Sequence, residues 1–345
     1  MNIRILKVDF SNIPIFGDGI VSIDLIAGTR VSKKDRTRLF NVFGNAYQHE
    51  AIAFVGKVAS GKTTILRMLS FVMDMLNANP INSINDADLV KAIKPGVPAV
   101  IDTYFTLNDS VYKLFTEISK IDGRLVISDE TLQEKSIRCV KYKKSLYDFE
   151  GITPLVHRTQ YDDLVILEDG SIMAAIRNRC GTPVFFRSLL RHTRKCLLDD
   201  LTDDIPNELI LFLDPSIEYL KTYRSFKGAS LELKFKGCEE VIYLNYAERL
   251  NRYLSAGTIK GLHVFMKAIE CFRSGGYLLV DDIEAHLNKE IVLTLIRLFM
   301  DGSVNASGAV LLFSTHYAEL LDELEFDDSI YVVCNENGIG VGNTN

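Results

Sequence analysis

The chain has 345 residues, 47% of them hydrophobic and 24% charged, enough to bury a sizeable core as two average domains or one large α/β domain. A formal net charge of −6 excludes a surface that is basic all over for nucleic acid, and leaves room for a local basic face. No apolar run approaches the ~18–20 residues that span a bilayer, and the N-terminus MNIRILKVDF lacks a secretory pattern. A soluble, cytoplasmic protein with reduced thiols and no membrane partner is therefore expected. The cysteines at 139, 180, 196, 238, 271 and 334 form no CxxC pair or metal spacing, and read as packing residues.

In chain order, residues 3–9 and 20–26 are rich in Ile and Val with partial alternation, which predicts an opening hairpin. The polar stretch 29–50 reads as a surface loop. AIAFV at 51–55 is a short apolar run that stops at Gly56, as a buried parallel strand does. Residues 63–76 then carry apolar side chains at helical spacing. From 98 to about 150, apolar runs are separated by Asn108-Asp109 and Asp122-Gly123, which predicts an antiparallel meander. Residues 151–250 are mixed, with helices predicted at 184–199 and 206–221 and strands at 230–236 and 240–244. Beyond 255 the pattern alternates: helix 257–273, strand 277–281, helix 287–301, strand 309–314, helix 316–324, strand 329–334. Such alternation predicts a parallel sheet covered by helices.

Gly56-Lys57-Val58-Ala59-Ser60-Gly61-Lys62-Thr63 fits GxxxxGK[ST] at every fixed position, between a strand and a helix. Small residues let successive backbone N–H groups close around phosphate oxygens, and the helix N-terminus adds a favourable dipole. Lys62 would reach the β- and γ-phosphates. The Thr63 hydroxyl would coordinate Mg²⁺, and Thr64 beside it belongs with the nucleotide-binding residues. Tyr277-Leu278-Leu279-Val280-Asp281-Asp282 is an apolar strand ending in two acids, which places Asp281 to hold the metal. Leu254-Ser255-Ala256-Gly257-Thr258 opens a helix. Ser255 is a natural N-cap there, and a Ser and a Gly at a helix start can also meet a phosphate. Val310-Leu311-Leu312-Phe313-Ser314-Thr315-His316 is a further apolar strand, ending in a histidine. Arg187, Arg191, Arg194 and Lys195 share one face if 184–199 is helical; that face is either a phosphate-binding stripe or a solvated, locally paired surface.

Phosphate loop, LSxGT, hhhhDD and STH in that order resemble the ABC-type ATPases, and most closely the AAA-type ATP-binding proteins related to OLD and RecF. The resemblance covers about 1–75 and 250–335. It implies a P-loop NTPase of α/β class: one ABC-type domain over 1–345, with a mixed-sheet core lobe at about 1–97 and 258–345. An antiparallel β meander at about 98–150 and a mixed or helical lobe at about 151–257 would be inserted. It also implies ATP and Mg²⁺ as cofactors. The loop Gly56–Thr63 with Asp281 would bind Mg-ATP, while Ser255 and Gly257 would cap the γ-phosphate held by a second subunit in a homodimer or higher homo-oligomer. Asp282 stands where the family places a catalytic glutamate, one methylene shorter, so slow hydrolysis is expected. His316 stands at the switch histidine. Glu284 is part of the family's acidic motif and reads as structural before catalytic. His286 reads as a solvated residue at a helix start, and Gln133 and Gln160 are the visible options for the family's Q-loop. The acids outside this set form no second metal constellation. The expected function is a nucleotide-gated switch for a separate effector protein, and the resemblance to stand-alone ATPases of this branch implies a nuclease or toxin as that effector, in antiphage defence. Direct nucleic-acid binding of RecF type and an ATP-stabilised scaffold are the alternatives.

Overall fold

A computed structural model describes residues 3–17, 19–28, 31–32, 36, 38–87, 90, 93–94, 96–160, 166–180, 183–190, 205–225, 228–244, 247–324 and 326–343. The chain opens with β1 (Arg4–Ser11), β2 (Val21–Asp24) and a small hairpin, β3 (Phe40–Phe43) and β4 (Ala46–Gln48). Next come β5 (Ala51–Val55) and α1 (Lys62–Leu76), then three long strands, β6 (Ala99–Leu107), β7 (Ser110–Ile121) and β8 (Arg124–Ser136). A short α2 (Lys143–Leu146), β9 (Val156–His157), α3 (Met173–Cys180) and β10 (Phe186–Leu189) lead to α4 (Asn207–Leu213). Then follow β11 (Ile217–Ser225), β12 (Gly228–Phe235), β13 (Val241–Leu244) and α5 (Ala256–Ser274). The last third is β14 (Tyr277–Val280), α6 (Lys289–Met300), β15 (Val310–Thr315), β16 (Ile330–Asn335) and β17 (Ile339–Asn343).

The central sheet runs β10-β14-β15-β5-β16-β17, parallel except for β17. Its middle strands β14, β15 and β5 are apolar up to their carboxyl ends because both faces are covered. The two-residue strand period sorts their side chains between two cores. Ile52, Phe54, Leu279 and Leu312 face α1 and the strands β1, β6, β7 and β8, whereas Ala51, Ala53, Leu278, Val280, Leu311 and Phe313 face α5 and α6. The second large sheet, β2-β1-β6-β7-β8-β9, is the expected meander joined to the opening hairpin. Its turns use left-handed backbone at Asn108 (φ 52°), Asp122 (φ 48°) and Gly123 (φ 80°).

Several local expectations differ from the structure. The stretch predicted as helix 184–199 holds β10 instead, which pairs in parallel with β14, and residues 191–200 lie outside the described region. Tertiary pairing at the sheet edge overrides the helical spacing of the arginines. The predicted helix 206–221 is the short α4, ended before Pro215, and then β11. β11, β12 and β13 form a three-stranded antiparallel sheet, so the segment before Ser255 is as much sheet as helix. The stretch read as a surface loop at 29–50 contains the β3–β4 hairpin, and 316–324 is a 3-10 turn at Ala318–Glu323 rather than an α-helix. Cys271 packs in the core as expected, but Cys139, Cys238 and Cys334 are exposed. Cys196 and the Cys180 side chain lie outside the described residues. Among the described residues, no helix is long and apolar enough to cross a membrane.

Candidate active site

β5, β14 and β15 are adjacent parallel strands, so their carboxyl ends deliver three loops to one place. The loop after β5 is held by close packing. A Cβ on Gly56 would stand 2.3 Å from the Val333 carbonyl, and one on Gly61 would stand 2.5 Å from the Ile339 side chain. Left-handed backbone at Ala59 (φ 63°) and Gly61 (φ 104°) curls the loop into a cradle of N–H groups. α1 begins without a side-chain cap, so its N-terminal amides point unpartnered by any capping residue toward that cradle. The Ser60 hydroxyl, buried within the loop, has no hydrogen-bond partner. Lys57, Val58 and Ala59 are exposed at the tip.

Lys62 folds back over the loop, its ammonium donating to the Gly56 carbonyl at 2.9 Å and the Lys57 carbonyl at 3.0 Å. Burial lowers its pKa, opposed by the nearby carboxylates of Asp282, Asp281 and Glu284. The same ammonium lies 3.3 Å from Nδ1 of His316. An ammonium can only donate, so Nδ1 is the acceptor, and the ring proton sits on Nε2, 3.3 Å from the Asp282 carboxylate. His316 thus bridges the phosphate-loop lysine and the second acid of β14.

The first acid is fixed from two sides. Asp281 accepts from the Thr63 hydroxyl at 2.8 Å and from the Ser314 hydroxyl at 2.5 Å. Ser314 also accepts from the Asp282 amide at 2.7 Å, so β15 positions both acids. Asp282 itself has left-handed backbone (φ 43°), and its side chain is about half exposed. Glu284 turns inward, and one of its oxygens accepts the His316 amide at 2.8 Å. Lys62, Thr63, Asp281, Asp282, Glu284 and His316 are therefore one connected cluster, with Thr64 next along α1. Sequence reasoning gave Ser314 no role; a polar residue ending a fully buried strand beside the histidine was the available signal.

Among the described residues, no hydrogen bond joins Ser255 or Gly257 to this cluster. Ser255 is exposed and caps α5, accepting the Thr258 amide at 3.0 Å and bonding the Thr258 hydroxyl at 2.8 Å. Gly257 is pressed against the loop after the acids, where a Cβ would stand 2.6 Å from the His286 carbonyl. His286 is exposed with φ 65°, and α6 is capped by Asn288. Gln133 donates to the Ile152 carbonyl at 2.6 Å within the meander and Gln160 accepts the His157 amide; neither bond joins the phosphate loop. Of the basic stripe, Arg187 is paired with Glu270, and Arg191, Arg194 and Lys195 lie outside the described residues.

The donor set fits a magnesium nucleotide. A cradle of backbone amides and an ammonium suits phosphate oxygens, and a threonine hydroxyl beside a carboxylate suits a hard divalent cation. No protein-family model and no curated protein matches the chain. Among solved structures, the crystal structure of the SmcHead bound to the C-winged helix domain of ScpA is similar at a TM-score of 0.50 and 14% identity. The match covers 99% of this chain and 98% of that one. The chain is thus similar in fold, over nearly its whole length, to that SmcHead.

Proposed function

We propose that this chain is an ATPase that pairs with a second copy around ATP and passes its nucleotide state to a separate effector protein. The observation that carries the reading is the connected cluster at the ends of β5, β14 and β15, in which Thr63 is bonded to Asp281 and Lys62 lies beside His316. Lys62 and the loop amides would hold the β- and γ-phosphates. Thr63 and Asp281 would hold Mg²⁺, which neutralises charge on the phosphate oxygens. Asp282 would accept a proton from the attacking water, and His316, bonded to it, would orient the carboxylate. Its half-exposed, one-methylene-short side chain supports slow turnover. Glu284 serves here by fastening the His316 backbone.

Ser255 and Gly257 are exposed or half-exposed at the start of α5, where the Ser255 hydroxyl bonds to Thr258 of its own helix, which supports a cap supplied in trans. The SmcHead of the similar structure is bound to a domain of another protein, ScpA, which supports a partner docked on a head of this shape. An effector that is a nuclease or toxin, in antiphage defence, is the partner class we favour. The Arg187–Glu270 pair removes one member of the basic stripe and so gives direct nucleic-acid binding no support. The test is light scattering with and without Mg-ATP. Wild type should become dimeric or larger with ATP and Ser255→Arg should not; the same oligomer in every sample contradicts the composite site.

A further inference from the structure

Helix α5 meets the loop 281–287 at two points. Gly257 abuts the His286 carbonyl, and one turn further on the Lys260 ammonium reaches the Asp282 carbonyl at 3.2 Å. Lys260 is 4% exposed, a rare place for a lysine. Burying an ammonium with three donors is costly, and a well-packed apolar side chain on the same helix face would avoid that cost. What faces Lys260 explains its presence. Glu284 is the strongest charge acting on it, followed by Asp282 and Asp281. The second oxygen of Glu284 is buried with no hydrogen-bond partner, and the Lys260 ammonium is held nearby on the Asp282 carbonyl, in the same loop. The loop it touches is also strained, with left-handed backbone at Asp282 and His286. The Asp282 carbonyl is shared between Lys260 and the Ala285 amide, the latter at 2.8 Å.

We infer that Lys260 is a positioning residue: from α5 it holds the backbone of Asp282, so that the Asp282 carboxylate stays on His316 and moves with the helix that carries Ser255. This rests on the ATPase reading above and adds to it the path between two subunits. Ser255 starts the helix, Lys260 lies in its second turn, and Asp282 lies at the far end of the Lys260 contact. A nucleotide that engages Ser255 from a second copy would draw on α5, and the lysine would carry that displacement to the acid beside the water. Coupling of this kind needs only a contact whose two ends sit on different sites.

The experiment compares full-length wild type, Lys260→Met and Lys260→Arg by steady-state Mg-ATP hydrolysis and by hydrogen exchange. For Lys260→Met, kcat should fall by about tenfold or more with KM within about twofold, and Lys260→Arg should recover a large share of the loss. Exchange should accelerate in the peptide covering 281–287 and not in those covering 62–76 and 289–300. An unchanged kcat in Lys260→Met overturns the inference. So does a loss shared by KM, melting temperature and exchange throughout the chain, which is the signature of a structural lysine. Wild-type turnover no faster than that of Lys62→Ala would instead sink the ATPase reading. Exchange would then decide alone: acceleration confined to 281–287 keeps Lys260 as the holder of the loop, and no acceleration removes it.

Discussion

Glu130 offers a test of the packing that joins the meander to the rest of the chain. It lies on β8 with no exposed surface, and burial pushes its carboxyl up to about 7, partly offset by the Ile172 amide, by the Ser171 and Thr116 hydroxyls and by Arg158. One oxygen accepts from Thr116 at 3.0 Å and Ser171 at 2.8 Å, and the other from the Ile172 amide at 2.6 Å. A single side chain thus ties β7 and β8 to the start of α3. Because the folded-state value lies above the ordinary 4.5, the native protein holds this proton longer than the unfolded chain. The stabilisation is fully present below about pH 4.5 and is lost as pH rises through about 7. At ~1.4 kcal/mol per pH unit, the loss amounts to about 3 kcal/mol. Glu130→Gln is neutral throughout. Its amide oxygen can take the Ile172 N–H, while its NH₂ group donates to the two hydroxyls, which accept as readily as they donate. Melting curves should nearly coincide at about pH 5, and the variant should melt about 5 °C higher at about pH 8, at ~1–2 °C per kcal/mol for a chain of this size. Glu50, pushed up to about 8 by burial, titrates in both proteins and cancels in the difference. A melting gap that stays constant across that range refutes the reasoning.

Three further outcomes follow from the site. Asp282→Asn should abolish phosphate release and leave Mg-ATP affinity intact, whereas Glu284→Gln should do much less; the reverse ranking would move the base to Glu284. Gly257→Ala should weaken ATP-driven pairing, because its new methyl meets the His286 carbonyl and must push the loop aside; unchanged scattering with ATP would show that the contact yields freely. An effector identified from a neighbouring gene should be recovered differently with ATP, with ADP and with Asp282→Asn. Equal recovery in all three would rule out nucleotide gating.

Much of this site could be read from the sequence because buried parallel strands announce themselves. β5, β14 and β15 are continuous apolar runs, and each run stops where its carboxyl end emerges, at Gly56, at Asp281 and at Ser314. Motif spacing then named Lys62, Thr63, Asp281 and His316. Residues whose role depends on what packs against them stayed hidden. Ser314 matters because β15 lies beside β14 and the hydroxyl can reach both acids. Lys260, His263 and Lys267 follow i, i+3 and i+7 on one stripe of α5, and all three are buried, which periodicity alone reads as a solvated face. β10 differs from the helix predicted at 184–199 for a similar reason. The spacing of Arg187 and Arg191 suits a helix, but Phe186–Leu189 gains a full parallel pairing with β14, which single-chain propensity does not register. The short α4 gives way to strand at Asp214-Pro215, where a proline signal was visible and was outweighed by the apolar spacing around it.

Titration calorimetry of Mg-ATP into wild type and Lys62→Ala tests the central claim most directly. The structure places this ammonium on the phosphate loop, within reach of His316, and a charge-assisted bond to phosphate contributes about 1.5–3 kcal/mol. The account predicts one nucleotide bound per chain and an affinity lower by about tenfold to a hundredfold in the variant. Equal affinity in the two proteins, or no binding to wild type, would contradict it.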